Sequence, residues 1–190
     1  ITVKLLAPVS DYNSAVKQIE AGANEIYLGG DTEVFNSFSF SGRGKFNPKN
    51  EKICVDKYVL KDIVQYAHAN NASVMYTANL PFLADDNSGG TDFSRYFMDY
   101  IQQGIEAGVD SIVVADIGAI LFLRKEGIKT HLTASTFLEA VNKEQILFYK
   151  EIGVDRAVLS YQVTLEEIEQ MASYNIMEIE VFGHYGCSFY

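Results

Sequence analysis

The sequence predicts an α/β fold, namely a TIM-type (β/α)8-like barrel that is incomplete at its C-terminus. Strand and helix patterns alternate along all 190 residues, and a helix–glycine–strand joint occurs three times. Strict alternation favours a parallel sheet with right-handed crossovers. Seven predicted strands and six predicted helices match a barrel that lacks its last helix, strand and closing helix. An open, doubly wound sheet is the alternative.

The repeated joint is the strongest organisational pattern in the chain. Its three copies occupy residues 19–29, 105–115 and 150–160. In each copy a glycine ends a helix, and an Asn or Asp two residues later precedes a strand, as in Gly22 and Asn24. Glycine adopts the left-handed conformation at a helix C-terminus without steric cost. The pattern therefore predicts three helix-to-strand connections of one design.

The remaining elements follow from hydrophobic periodicity and helix-start residues. We expect Ser10 and Thr164 to cap helices, and the spacing from Thr164 to Glu167 is that of a capping box. Strands are predicted at 3–7, 25–29, 73–78, 111–115, 130–134, 156–160 and 178–182, and helices at 11–21, 56–70, 93–107, 118–126, 143–152 and 165–174.

Alternation of side chains along each strand predicts which residues face the lumen of the barrel. In the fifth strand His131 and Thr133 would face the lumen, and in the last strand Glu178 and Glu180 would do so. Lys4, on the first strand, is the expected counter-ion of one of these two glutamates. A structural ion pair inside the barrel is the simplest interpretation of Lys4 with Glu178, because charged residues are seldom buried unpaired.

Active sites of barrels are built where the strands end, on the C-terminal face. Two connections there are long, at 30–55 and 81–91, and the first combines aromatic residues with Arg43. The predicted catalytic residues are Asp116, Ser135, Glu180 and His184, and the predicted substrate-binding residues are Arg43, Asn79, Thr136 and Tyr161. Ser160, which also follows a strand, belongs to the wider set of candidates.

Composition bounds the class of protein. Hydrophobic residues make up 48% and charged residues 21%, which is typical of a single globular domain over residues 1–190. The net charge of −10 repels polyanions, so this segment alone is a poor general nucleic-acid binder. No apolar run approaches the roughly 20 residues that span a bilayer, and no signal peptide is evident. We expect a cytoplasmic protein with no membrane partner.

Cys187 allows three interpretations from the residues alone. As a nucleophile it would need an activating base, and His184 is only three residues away, which is an unusual spacing for such a pair. As a metal or cluster ligand it would need further cysteines, and Cys54 is a poor partner. As a structural thiol it would be buried and inert. Spacing favours the structural thiol.

Several motifs together resemble the collagenase-like peptidases of family U32, whose catalytic type is unknown. The resemblance covers nearly the whole chain, and its first and last motifs are specific. The motifs are Leu5-Leu6-Ala7-Pro8, the run from Ala21 to Gly30, Tyr66-Ala67-His68, the run from Val113 to Gly118, the run from His131 to Thr136, Leu165-Glu166-Glu167-Ile168, and Glu178-Ile179-Glu180-Val181-Phe182 with His184 and Cys187.

The resemblance implies an N-terminal barrel-like part of a longer protein, ending in a Glu-x-Phe signature followed by cysteines. Cys187 would be the first signature cysteine, preceded by Glu180, Phe182 and His184. Some members of the family are collagen-degrading proteases. Others are hydroxylation proteins that act on RNA or quinones and hold a four-cysteine iron-sulfur cluster. By this resemblance Cys187 would bind a 4Fe-4S cluster in the full-length protein, and we expect none in this segment.

Three departures from the family pattern suggest a divergent subfamily. Cys187 follows Glu180 by seven residues where the family usually has eight, Tyr161-Gln162 replaces an Arg-Glu pair, and the segment that begins at Asn79 differs.

Three functions stay open: a peptidase, an iron-sulfur hydroxylation protein acting on RNA or a small aromatic compound, and a non-catalytic binding barrel. The expected partners are such a substrate, the missing C-terminal region, and a second copy paired through exposed strand edges.

Overall fold

The computed structural model describes residues 3–30, 56–80 and 93–183 and shows seven parallel strands that alternate with helices in a half-barrel. The long connections, together with Arg43, Cys54, His184 and Cys187, lie outside the described residues. The strands are β1 (Leu6–Pro8), β2 (Glu25–Leu28), β3 (Ser73–Ala78), β4 (Ser111–Val114), β5 (His131–Ala134), β6 (Arg156–Val158) and β7 (Glu178–Glu180). The described helices are α1 (Tyr12–Glu20), α2 (Lys57–Ala69), α3 (Phe93–Ala107), α4 (Ile117–Lys125), α5 (Lys143–Glu151) and α6 (Leu165–Ser173).

The order of the strands distinguishes between the two predicted architectures. Each strand pairs in parallel with its neighbour in sequence, from β1 through β7. A doubly wound sheet would reverse its strand order at a switch point, and this sheet has none among its described strands. The α/β barrel prediction is therefore confirmed as a TIM-like half-barrel.

Curvature of the sheet is visible in one contact across its concave side. Arg156 on β6 donates hydrogen bonds to Glu25 on β2 at 2.7 and 3.0 Å. In a flat sheet these strands would lie about 19 Å apart, since neighbouring strands are about 4.8 Å apart. The two side chains can meet only because the sheet curls around a lumen.

The apolar core lies between the convex side of the sheet and the helices. Strand residues such as Ile26, Ile112 and Leu132 are fully buried there against the helices. Met75 and Val113 are also buried but lie outside this cluster, on the lumen side. The predicted alternation along the strands is confirmed, and it leaves one face of every strand for the lumen.

The repeated joint has the predicted conformation and an additional contact. Gly22, Gly108 and Gly153 have φ angles of 106°, 90° and 91°. The Asn or Asp two residues later then accepts a hydrogen bond from the main-chain N–H of the preceding strand region. The three acceptors are Asn24 toward Leu5 at 2.9 Å, Asp110 toward Val74 at 2.7 Å and Asp155 toward Leu132 at 2.9 Å.

The same three residues also return a main-chain hydrogen bond to the carbonyl group of that partner, each at 2.9 Å. Every joint therefore clamps one strand to the previous one at two points. Periodicity could not show this clamp, because its partner lies about 19 to 36 residues away in the sequence.

Helix starts agree with the sequence patterns with one exception. Thr164 caps α6 in a capping box with Glu167, as predicted. Asp11, and not Ser10, caps α1, because the helix begins at Tyr12 and the Asp11 carboxylate accepts from the N–H of Ser14 at 2.7 Å. The hydroxyl group of Ser10 donates to the same carboxylate at 3.2 Å. The strand β1 also begins later than predicted, at Leu6, and a short 3-10 turn (Thr136–Leu138) was not predicted.

Candidate active site in the barrel lumen

The N-terminal end of the lumen is filled by charged and polar side chains that begin five strands. They are Glu25, Ser111, His131, Arg156 and Glu178. We call these five residues the lumen plug. Its centre is Arg156, which is only 8% exposed.

The guanidinium group of Arg156 holds two glutamates by short hydrogen bonds. Besides the paired bonds to Glu25, it donates to Oε2 of Glu178 from Nε at 2.9 Å and from Nη2 at 2.7 Å. Its Nη1 also lies 3.4 Å from the sulfur of Met75. Burial alone would lower the pKa of Arg156, but the hydrogen bonds to Glu25 and Glu178 outweigh burial and raise it. Arg156 therefore stays charged.

Lys4 pairs with Glu25 at 3.0 Å and not with a glutamate of the last strand. The expected pairing with Glu178 or Glu180 is wrong, because Arg156 already occupies Glu178 from the adjacent strand. Burial would raise the pKa of Glu25, but hydrogen bonds from Arg156 and Lys4 outweigh it and lower the pKa. Glu25 is consequently an ionised carboxylate held between two cations.

Glu180 lies one side-chain layer closer to the C-terminal face and has a different environment. Its contact with Arg156 is a single hydrogen bond of 3.3 Å from Nη1. Burial raises the pKa of Glu180, and the attraction of Arg156 offsets this only in part. A buried carboxyl group with a raised pKa keeps its proton to a higher pH than an exposed glutamate does, and general acids and bases use such shifted groups.

Ser111 and His131 form a polar pair within the lumen plug. Oγ of Ser111 lies 3.1 Å from Nδ1 of His131 and 2.9 Å from Oγ1 of Thr133. Nε2 of His131 is 3.9 Å from Oε2 of Glu178. Burial lowers the pKa of His131, although Asp155 and Glu178 oppose it, so the neutral imidazole is favoured.

Three buried polar side chains define the other end of the lumen, just past the strand ends. They are Asn79 after β3, Ser135 after β5 and Ser160 after β6, with exposures of 8%, 3% and 6%. We call them the polar collar. In barrel enzymes the C-terminal end of the strands carries the chemistry, and the N-terminal end contributes stability. By that rule the collar and Glu180 form the candidate active site, and the lumen plug supports it.

The other predicted site residues have local structural roles or exposed positions. Oδ1 of Asp116 accepts a hydrogen bond from the N–H of Ala119 at 2.7 Å and caps α4. Thr136 begins the 3-10 turn that Ser135 caps, and Tyr161 is 41% exposed. Their catalytic or binding roles stay predictions, as do those of Arg43, His184 and Cys187, which lie outside the described residues.

Arg156, Glu25 and Ser111 were missed by sequence reasoning. Each directly follows the Asn or Asp of a repeated joint, so each appeared to belong to the turn between a helix and its next strand. A signal was present, because a charged residue at the start of an apolar strand must find a buried partner. Nothing in the sequence identified which partner.

The described residues contain no group of three or more His, Cys, Asp or Glu side chains arranged to hold a metal ion. Both cysteines lie outside those residues, so binding of an iron-sulfur cluster by Cys187 stays a prediction. Within the same described ranges, no helix has the length and apolar character needed to cross a membrane.

A model of peptidase family U32 matches residues 10–190. The chain belongs to peptidase family U32. This confirms the family resemblance that the motifs suggested.

The similar curated proteins differ in the activities that their names state. The chain is 26% identical to tRNA hydroxylation protein P1 of Bacillus subtilis over 95% of its own length and 38% of that protein. It is 30% identical to a 23S rRNA 5-hydroxycytidine synthase of Escherichia coli over 96% and 24% of the two chains. It is 23% identical to a collagenase of Porphyromonas gingivalis over 95% and 41%. The chain thus spans well under half the length of these relatives.

Solved structures agree with the fold. A U32 peptidase superposes with a TM-score of 0.68 at 15% identity, covering 95% of this chain and 68% of the other. The copper homeostasis protein CutC from Streptococcus agalactiae gives a TM-score of 0.63 at 16% identity, covering 94% and 87%. At these identities the likeness supports the barrel-type fold alone.

Proposed function

We propose that this chain is the barrel portion of an RNA-hydroxylating protein and that the C-terminal end of its lumen holds the base to be modified. The observation that carries the proposal is the 30% identity with the 23S rRNA 5-hydroxycytidine synthase over 96% of this chain. Two tRNA hydroxylation proteins, from Bacillus subtilis and Escherichia coli, support it at 26% identity each.

The lumen offers the chemistry that holding a base requires. An enzyme that modifies a base takes it out of its stack and contacts its edge by hydrogen bonds in a narrow pocket. The polar collar supplies such groups at the open end of the strands, and Glu180 lies below them with a raised pKa. Glu180 would exchange a proton with the bound base, while Arg156 holds Glu25 and Glu178 in short hydrogen bonds and so keeps them out of that role.

The charge of the chain indicates that this barrel would bind the base of the RNA and not its phosphate backbone. A net charge of −10 opposes contacts with the phosphate backbone, which normally dominate RNA affinity. Since the chain spans only 24% to 41% of three relatives, we assign backbone contacts to regions outside it. An iron-sulfur cluster bound through Cys187 and cysteines elsewhere in the protein would supply redox chemistry.

The test measures hydroxylated nucleosides in cellular RNA. The protein as its host encodes it is replaced by Glu180→Gln or by the control Glu169→Gln, which changes an exposed glutamate on α6. Total RNA is digested and its hydroxypyrimidine nucleosides are quantified by mass spectrometry. We expect the nucleoside to disappear with Glu180→Gln and to persist with Glu169→Gln. Normal hydroxylation in a strain that lacks the protein entirely would refute the proposal.

Peptide hydrolysis is the second candidate, favoured by the contact of 3.1 Å between Oγ of Ser111 and Nδ1 of His131. Neutral His131 could accept the hydroxyl proton of Ser111 across 3.1 Å while Ser111 attacks a carbonyl carbon. A fluorophosphonate probe, which labels activated serines, distinguishes this candidate. Labelling of the wild-type protein that is lost with Ser111→Ala would favour hydrolysis, and absence of labelling would favour the structural role of the lumen plug.

A further inference from the structure

The guanidinium group of Arg156 has five N–H donors, and each of them faces an acceptor. Nε and Nη2 donate to Oε2 of Glu178 at 2.9 and 2.7 Å. Nη2 and Nη1 donate to the two carboxylate oxygens of Glu25 at 3.0 and 2.7 Å. The one N–H that remains is shared, since Nη1 also lies 3.3 Å from Oε2 of Glu180 and 3.4 Å from the sulfur of Met75. Glu180 therefore has the weakest hold on this cation.

The charges that surround Glu180 in the described part of the lumen do not balance. Two cations, Arg156 and Lys4, face three carboxylates on β2 and β7. Lys4 pairs with Glu25 and is 51% exposed, so water screens most of its charge. His131 adds no charge while it is neutral, and the carboxylate that it faces is 3.9 Å away. One carboxyl group is in excess, and a proton is held most easily by the carboxyl group with the weakest ion pair.

Glu25 is the carboxylate that holds Arg156 most completely. Both of its oxygens accept from the guanidinium group, in the paired geometry that makes arginine–carboxylate contacts strong. Its side chain is only 5% exposed, whereas that of Glu178 is 54% exposed. Arg156 is paired in register with Glu178, and Glu180 stands two residues further along the same strand. Nη1 of Arg156 therefore serves both Glu25 and Glu180, and Glu25 takes the shorter bond.

We propose that Glu25 is a positioning residue for Glu180. By engaging both Nη atoms of Arg156 it prevents a short ion pair between Arg156 and Glu180, and so leaves the Glu180 carboxyl group able to exchange a proton with the bound ligand. This inference rests on the proposed function, because it explains how the same site prepares Glu180 for its role. Burial raises the pKa of Glu180, Arg156 lowers it only in part, and the negative charge of Glu25 raises it again, which agrees with this arrangement.

The substitution Glu25→Gln removes one of the two acceptors that Glu25 offers to Arg156 and replaces it with an NH2 group that can only donate. The N–H of Nη1 that loses its partner would then turn to Oε2 of Glu180, which already lies 3.3 Å from Nη1. A close opposite charge favours an ionised carboxylate, and loss of the negative charge of Glu25 acts in the same direction. Glu180 should therefore lose its proton at a lower pH in Glu25→Gln than in the wild type.

The experiment follows the proton on Glu180 by infrared spectroscopy and needs neither RNA nor hydroxylation. The protein as its host encodes it is titrated over a range of pH, and the carbonyl stretch of protonated carboxyl groups is recorded. The band that is present in the wild type and absent from Glu180→Gln belongs to Glu180. We expect its midpoint to move to lower pH in Glu25→Gln and to return toward the wild-type value in Glu25→Asp, which keeps the charge. The control Glu169→Gln, at an exposed position on α6, should leave the midpoint unchanged.

A second variant and a second readout distinguish positioning from a purely structural role. Glu178→Gln changes a side chain that is 54% exposed, so it should fold even if Glu25→Gln does not, and it too frees N–H groups of Arg156 for Glu180. Its midpoint should move in the same direction. In cells the hydroxylated nucleoside should fall by about tenfold or more with Glu25→Gln, because general acid–base catalysis depends on the protonation state. It should persist with Glu25→Asp. Circular dichroism of each variant verifies folding.

The two proposals can fail separately. A midpoint that moves in neither Glu25→Gln nor Glu178→Gln would overturn the positioning role, even if hydroxylation were lost, because Glu25 would then act only through the stability of the fold. Normal hydroxylation with a folded Glu25→Gln protein would also overturn it. A shifted midpoint in a protein whose absence leaves cellular hydroxylation normal would support the control of Glu180 by Glu25 and refute the proposed function.

Discussion

Replacement of Arg156 by Met tests the lumen plug most directly. Arg156 makes five hydrogen bonds to carboxylates, namely two to Glu25, two to Glu178 and one to Glu180. The side chain of Glu25 is 5% exposed, and after the substitution only Lys4, which is 51% exposed, would remain beside it. Removing one partner of a buried ion pair costs about 3 to 5 kcal/mol, because the other charge is left buried.

The expected effect is a loss of about 3 to 5 kcal/mol in the free energy of unfolding at pH 7, measured by urea denaturation. Arg95→Met is the matched control, since Arg95 is exposed on α3 and its ion pair with Asp99 is long, at 4.0 Å. Exposed pairs contribute about 0 to 1 kcal/mol. The control should therefore stay within about 1 kcal/mol of the wild type.

Dependence on pH gives a second, independent criterion. Arg156 and Lys4 lower the pKa of Glu25, so Glu25 contributes stability above its unfolded pKa, and this contribution is lost as the pH falls through the folded pKa. Without Arg156 the same carboxylate is destabilising when ionised. The difference between variant and wild type should shrink as the pH falls below the usual pKa range of glutamate. A loss under about 1 kcal/mol at pH 7, or one that is constant down to pH 3, would refute the reasoning.

Three further predictions concern the clamps, the joints and Glu180. Asp155→Ala should lower the free energy of unfolding, measured by urea denaturation, by about 1 to 3 kcal/mol, because the main-chain N–H of the neighbouring strand loses its acceptor. The control Asp99→Ala, at the surface, should lower it by less than about 1 kcal/mol. Equal losses in the two variants would contradict the clamp. Gly153→Ala should lower the Tm more than Gly127→Ala does. Both glycines have a positive φ, but only at Gly153 would the new methyl group meet a side chain, that of Arg124, at 3.0 Å. A larger loss of Tm at Gly127 would contradict this packing. Because the pKa of Glu180 is raised, its ionised form destabilises the fold. The free energy of unfolding of Glu180→Gln should therefore be close to that of the wild type at pH 4 and should exceed it increasingly as the pH rises. A difference that does not depend on pH would rule out the raised pKa.

The parts of the fold that sequence reasoning anticipated are those specified within one helix and its next strand. The bounds of β3 were predicted without error as 73–78, since an apolar run lies between an Asn-Asn-Ala turn and a second turn. The capping box at Thr164 and the left-handed glycines at the joints followed from chemistry within a few residues.

Predictions failed where an equally suitable neighbour competed. Ser10 and Asp11 are both good capping residues, and Asp11 takes the position because its carboxylate accepts from the N–H of Ser14 at 2.7 Å. Lys4 could reach several lumen glutamates, and it pairs with Glu25 because Arg156 is bound to Glu178. In both cases the choice depends on geometry that is absent from the residue pattern.

The sequence by itself determined the alternation of strands and helices, the joints between them, the face of each strand that enters the lumen and the family. These properties are local, or they are carried by motifs that stand in order along the chain.

Only the tertiary structure decided that Arg156 meets Glu25 across 131 positions and that the buried Oδ1 of Asn79 has no hydrogen-bond partner among the described residues. The physical reason is the curl of the sheet, since it brings the ends of distant strands together and removes water from them. Whether a buried polar atom then has a hydrogen-bond partner depends on every residue that surrounds it.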